Sequence, residues 1–353
     1  TIAKLVFNAL MDDKTRAILV EQQRKTALIE YHDRGKNVEK MAKILKDLVG
    51  LPKLNIVVVT PHARKHGGPT TLITMANELA ARGHNVKIAS VYSDLNPGVI
   101  QYTNLPIILL NQKMDNFPEC DLVITNSDNP LNKDISESPK AKRKIMIKLS
   151  HNPRFKALEE SGLNLKWDAV VTSSQWLAEV CENPAPDWNY SPVKAHRVGW
   201  YHYNFETMRR SIKKKRYHEL NKDQIVISTL VHAHPSKGSS EAGAILDSIY
   251  QHYKGSVKFI GVGEIHPSEV KISIPGMDYV FAPSRDELAD IMAKTDIWLG
   301  CSHTEGLGRM ALEAMTGAAA CVLTDTGAEF VIEGKNALVR QVGDLDGLAN
   351  AIN

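Results

Sequence analysis

Cysteine is scarce in this sequence: Cys120, Cys181, Cys301 and Cys321 stand far apart among 353 residues, without the spacing of metal ligands. They read as reduced thiols of a cytosolic protein, which excludes a disulfide scaffold and a cysteine-bound metal. No run of about 18 apolar residues occurs, and the N-terminus lacks the short apolar core of a secretion signal, so neither a spanning helix nor export is expected. An excess of one charge is missing too. The 43 Lys and Arg against 40 Asp and Glu leave a formal +3, which is compatible with phosphate-bearing ligands or an anionic surface and demands neither. The fingerprint G-x-G-x-x-G is absent, which disfavours a nicotinamide enzyme. There is no repeat at solenoid periods and no low-complexity tract.

What is present is 43% hydrophobic and 24% charged residues, the balance of a globular chain able to bury proper cores. The length predicts two domains, because single cores stop growing efficiently beyond about 250 residues. Residues 1–51 carry Leu5, Val6, Ala9, Leu10, Ile18, Met41, Ile44 and Leu48 at helical spacing, and form an N-terminal helical region stopped by Gly50 and Pro52. Residues 52–205 alternate β-branched runs such as "NIVVVT", "DLVITN" and "IMIKL" with helices expected at Thr70–Arg82 and Gln175–Cys181. The charge-dense residues 206–223 read as a linker. The alternation restarts over residues 224–353 with "QIVISTLV", "VKFIGVG" and "DIWLG", and with helices expected at Ser239–Tyr253, Arg285–Lys294 and Leu307–Thr316. This is an α/β chain with two Rossmann-like parallel sheets, whose ligands bind at the carboxyl ends of the strands.

Four stretches carry candidate chemistry. In "SHTEGLGRMALEAMTG" a glycine turn opens a helix. Such a turn presents unpaired N–H groups and the positive end of a dipole, which suits a diphosphate, while Glu305 and Glu313 on either side can accept hydrogen bonds from sugar and ribose hydroxyls. In "STLVHAHPSKG" a strand runs into a loop holding His232, His234 and Lys237. In "TPHARKHGGPTTL" a loop with Gly67 and Gly68 precedes Pro69 at the expected first helical position. In "KLSHNPRF" His151 follows a strand directly. No pair of carboxylates stands out as nucleophile and general acid, and no D-x-D pair is assigned to a metal.

Glu305 and Glu313, with seven residues between them inside "EGLGRMALEAMTGAAACVLTDTGAEFVIEGKNALV", resemble the signature of glycosyltransferase family 4, the group 1 glycosyl transferases. The resemblance runs from about Leu54 to Val339 and includes the turn at Ser174 and the strand-end loop at Gly199. It implies the GT-B arrangement, two Rossmann-like domains facing across a cleft, and metal-independent, retaining transfer of a sugar from a nucleotide diphosphate by front-face attack. It places Glu305 and His151 on the sugar and Glu313 on the ribose. Lys237 falls on the diphosphate with Gly306 and the amides of Leu307 and Gly308, and Gly67 and Gly68 fall at the diphosphate and acceptor side. His232 stands where the family usually has Arg, and His234 or Arg309 is the candidate to compensate. No cofactor is expected beyond the nucleotide sugar itself, and the acceptor is expected to be a glycan or lipid-linked. Residues 1–51 have no equivalent in the family, and closing helices are expected beyond Asn353.

Other readings stay open at this point: a GT-B epimerase, a catalytically inactive nucleotide-sugar-binding subunit, and a transferase acting on DNA bases. The last needs a basic groove from Arg209–Arg216 and Lys140–Lys144, and nucleic acid is not the expected partner. In residues 1–51, Asp12, Asp13, Glu21, Glu30 and Asp33 interleave with the cations. This favours packing or homo-oligomerisation of a cytoplasmic protein over docking at the inner face of a membrane.

Overall fold

The computed structural model describes residues 53–61, 67–91, 103–111, 113–152, 155–198, 224–269, 274 and 276–352. The helical region expected over 1–51, the linker expected over 206–223, and Gly199 lie outside them. The described residues fall into two compact units, one holding 53–198 and the other 224–352.

The first unit runs β1 (Asn55–Thr60), α1 (Gly67–Ala81), β2 (Asn85–Ser90), β3 (Ile107–Leu109), β4 (Cys120–Asn126), α2 (Asn132–Glu137), β5 (Ala141–Lys148), α3 (Lys156–Leu163), β6 (Ala169–Thr172), α4 (Gln175–Glu182) and β7 (Ala195–Arg197). Its strands form one parallel sheet in the order β3-β2-β1-β4-β5-β6-β7. The apolar run of β1 is buried throughout because helices cover both faces of a parallel sheet. Ile56 and Val58 pack on Leu72, Met75 and Leu79 of α1. Val57 and Val59, pointing the opposite way, pack with Phe117 and Ile135.

The second unit repeats the plan with β8 (Ile225–Val231), α5 (Ser239–His252), β9 (Val257–Gly263), β10 (Met277–Phe281), α6 (Arg285–Lys294), β11 (Ile297–Gly300), α7 (Arg309–Thr316), β12 (Ala320–Thr324), β13 (Ala337–Arg340) and α8 (Leu345–Ile352). The sheet order is β10-β9-β8-β11-β12-β13, again parallel. Ile227, Leu299, Val322 and Leu338 meet Ile245, Leu246 and Ile249 of α5 and Leu348 of α8 in one core. Ser284 and Glu287 close a capping box on α6. In both units strand order reverses once, between β1 and β4 and between β8 and β11, and crevices for ligands form at such points.

Several boundaries differ from expectation. Helix α1 begins at Gly67, so Gly67, Gly68 and Pro69 form its first turn rather than a loop; first-turn N–H groups lack intrahelical partners anyway, so proline loses nothing there. Helix α7 begins at Arg309, two residues after Leu307. Gly308 has φ −68° and ψ 74°, outside the helical region. The short α2, α3, β13 and α8 were not expected. The single D-x-D of the sequence, Asp344–Leu345–Asp346, opens α8, where Asp344 Oδ1 accepts the Gly347 N–H at 2.9 Å and acts as a helix cap.

Candidate active site

A pocket opens in the second unit at the carboxyl ends of β8, β11 and β12, lined by Thr229, Lys237, Ser302, Glu305, Arg309 and Gly327 among others. Three loops build it, and each is tied to the next. After β8, Ser239 Oγ accepts the His232 N–H at 2.8 Å, and the His232 ring accepts the His234 N–H at 2.9 Å through Nδ1. His234 then caps the short 3₁₀ turn Pro235–Lys237 through the Ser236 N–H. Gly238 ends that turn at φ +66°, and a Cβ there would come within 1.8 Å of the Cys301 carbonyl oxygen. The β8 loop thus lies directly against the end of β11, and the His303 N–H donates to Ser236 O at 2.7 Å across the same seam.

This contact sets Lys237 beside Glu305, Nζ to Oε1 at 2.7 Å, with both side chains about one quarter exposed. Ser302 Oγ donates to the same carboxylate oxygen at 2.9 Å, and the Glu305 N–H donates to Thr326 Oγ1 at 2.8 Å. Behind them Gly327, at φ +61°, leaves no room for a Cβ, which would sit 2.5 Å from Glu305 Cβ. Its carbonyl accepts the Gly308 N–H at 2.8 Å. The Gly308 amide expected to face a diphosphate is therefore engaged with the chain itself. Gly306 and Leu307 are buried in the turn, and neither lines the pocket.

Glu313 lies one helical turn beyond Arg309 and has no exposed surface; Arg309 Nε stands 3.5 Å from its Oε1. Arg309 lines the pocket and Glu313 does not, so the carboxylate is paired with a pocket-wall residue without reaching the wall itself. His232 is held in the loop by the bonds above and does not line the pocket either.

The remaining expected site residues are in the first unit. His151 follows β5 at its carboxyl end, stacked on Trp188 at 3.7 Å between centroids and edge-on to Trp176 at 6.0 Å. Burial and the Lys148 cation pull its pKa down to about 4, against the opposing pull of Asp187. The ring is neutral at pH 7. Gly68, in the first turn of α1, faces Leu149, two residues before His151: a Cβ would meet Leu149 Cδ1 at 3.8 Å.

The structure thus gathers Lys237, Glu305, Arg309 and Glu313 in one unit, and His151, Gly67 and Gly68 in the other. Ser302, Thr326 and Gly327 were missed in the sequence, although "LTDTGAEF" announces a strand end followed by a glycine turn. Among the described residues no group of three or more His, Cys, Asp or Glu is placed to hold a metal ion, and no helix is long and apolar enough to cross a membrane.

Residues 225–353 match the family model described as glycosyl transferases group 1. No match was found among curated proteins. Solved structures that resemble the chain include HepE from Anabaena in complex with UDP and glucose, at 17% identity and TM-score 0.67 over 85% of this chain and 89% of that one. Sucrose-phosphate synthase from Thermosynechococcus elongatus is similar at 16% identity and TM-score 0.65, over 84% and 88% of the two chains. A glycosyltransferase from Rickettsia africae is similar at 16% identity and TM-score 0.61, over 86% and 88%. The matched domain and the paired parallel sheets make this chain a glycosyltransferase of the GT-B fold.

Proposed function

We propose that the protein transfers a sugar from a nucleotide diphosphate to a glycan or lipid-linked acceptor, with retention of anomeric configuration and without a metal. The observation that carries this reading is the Lys237–Glu305 pair, 2.7 Å apart at the point where strand order reverses. A cation that can face a departing diphosphate and a carboxylate that can accept sugar hydroxyls stand side by side. Charge grows on the leaving diphosphate in the transition state, so a fixed cation lowers the barrier most at that moment. Arg309, on the pocket wall, supplies the second cation that His232 does not. In leaving Glu313 for the diphosphate it uncovers the carboxylate for the ribose. The leaving phosphate takes the acceptor proton, and the protein contributes positioning and charge. His151, a neutral ring, contributes hydrogen bonding to the transferred sugar and not charge.

The relatives support UDP-linked sugars as the first donors to try, since the HepE complex holds UDP and glucose. The test is a thermal-shift screen of nucleotide sugars, because a ligand that binds only the folded chain raises its melting temperature. Transfer to an acceptor then follows with the best donor, and NMR of the product anomer completes it. Release of free sugar without an acceptor would favour an epimerase or hydrolase, and inversion at the anomeric carbon would remove the front-face mechanism.

A further inference from the structure

The loop that carries His151 is held by a buried charge pair whose geometry exceeds what packing requires. Strand β5 ends at Lys148, whose side chain has no exposed surface, and Glu159 in the first turn of α3 has none either. Lys148 Nζ donates to Glu159 Oε2. The second oxygen, Oε1, accepts from Ser150 Oγ at 3.2 Å and from the Asn152 N–H at 3.2 Å. One carboxylate therefore binds residues 148, 150 and 152, which flank His151 on both sides. The His151 ring is seated on Trp188, and Lys148 Nζ lies 5.4 Å from the centroid of that same indole.

Taking two charges out of water is costly, and apolar residues of similar volume often stabilise a core as well or better. An apolar pair would fill the space under the loop but would leave the Asn152 N–H and the Ser150 hydroxyl without their acceptor. What Glu159 adds over an apolar side chain is direction. Its lone pairs fix the backbone on the far side of His151 and a side chain on the near side, leaving the imidazole one seat, on the indole face.

We infer that Glu159 is a positioning residue for transfer: with Lys148 as its buried counter-ion, it staples both flanks of His151 so that the imidazole is presented in one orientation at the carboxyl end of β5. This rests on the reading of His151 as the contact to the transferred sugar. Glu159 itself touches no substrate.

Two double variants separate the staple from the buried charge. Lys148→Met with Glu159→Gln removes both charges but keeps an amide oxygen for Ser150 and Asn152. Lys148→Met with Glu159→Leu removes the charges and the acceptor while filling the space. The first is expected to keep kcat within about threefold of the parent, and the second to lose about tenfold or more in kcat with donor KM nearly unchanged. Exchange of the Asn152 amide with deuterated water, slow in the parent and in the Gln-bearing variant, is expected to quicken about tenfold or more in the Leu-bearing variant. Ser150→Ala, which removes one bond at a half-buried site, serves if the Leu-bearing variant does not fold; its kcat is expected to fall by a smaller factor at the same donor KM. Equal kcat and equal amide exchange in the two double variants, or an unchanged kcat in Ser150→Ala, overturns the inference. If the parent shows no transfer with any donor, the functional reading fails, and the amide exchange still decides whether the staple exists.

Discussion

At the residue scale, the proposed transfer gives separable roles to Lys237, Arg309, Glu305 and Glu313 of the second unit. Replacing Lys237 with Ala is expected to depress kcat by about tenfold or more while donor affinity changes less, because its charge matters most as the diphosphate departs. Steady-state kinetics with a saturating acceptor decide this, and a loss below tenfold would hand the role to Arg309. Glu313→Ala should act on binding instead: a carboxylate that accepts from ribose hydroxyls contributes about 1.5–3 kcal/mol, so the donor dissociation constant should rise about tenfold or more. Calorimetric titration of the folded variant with nucleotide sugar measures it, and an unchanged constant removes Glu313 from the site. His151 adds a pH signature. With a folded pKa of about 4 against the ordinary 6.5, the unfolded chain binds a proton between those values that the folded chain refuses. Stability on this account is complete above pH 6.5 and is lost as pH falls through the window towards 4. An NMR titration of the ring in the folded protein should show a midpoint near 4, and a midpoint near 6.5 would contradict the packing on Trp188.

At the element scale, the loop after β8 is constrained by backbone rather than by side chains. Gly238→Ala would put a Cβ onto the Cys301 carbonyl and force a left-handed conformation that costs about 1–2 kcal/mol for an L-residue before any clash is counted. The expected result is a folded protein with a lower melting temperature and a larger drop in transfer than in stability, since displacing this loop carries Lys237 away from Glu305. Wild-type activity in that variant would show that the loop is free to move.

The long elements were legible in the sequence because their patterns are strong. Runs such as "IVVV" in β1 and "IVI" in β8 are β-branched and bounded by turn signals, and the helical pattern placed α6 to the residue, over Arg285–Lys294. The short helices α2 and α3 were not legible. They are 6 and 8 residues long, and tertiary contacts hold them where propensity does not, as Asn132 Nδ2 reaching the Asn126 and Ser127 carbonyls shows. The site residues named from the sequence were recognisable as types, but their pairing was not. That Arg309 pairs with Glu313 follows from a helix starting at Arg309, and that Gly308 gives its N–H to Gly327 follows from a contact between loops 19 residues apart in the chain.

At the scale of the whole molecule, each unit has its own sheet and its own buried core. Calorimetric unfolding should therefore depart from a single two-state transition, and a nucleotide that binds the pocket of the second unit should raise that unit's transition by mass action while moving the other less. One sharp transition, raised as a whole by nucleotide, would mean that the units unfold together. The two units also share a device at the same place in the fold: Asp121 Oδ2 accepts the Asn55 N–H at 2.9 Å where β4 meets the start of β1, and Asp296 Oδ2 accepts the Val226 N–H at 2.8 Å where β11 meets the start of β8.

The pairing of Lys237 with Glu305 also sets a condition on what can enter. Lys237 and Glu305 already answer each other, so on the proposed reading an arriving phosphate that takes the lysine leaves the carboxylate to Ser302 Oγ, and an arriving free sugar that takes the carboxylate draws it off the ammonium. A molecule with an anionic part and a hydroxyl-rich part in the right order satisfies both at once. On the proposed reading the pocket would work as a logical conjunction: two weak keys, each poorly held alone, would be held when joined.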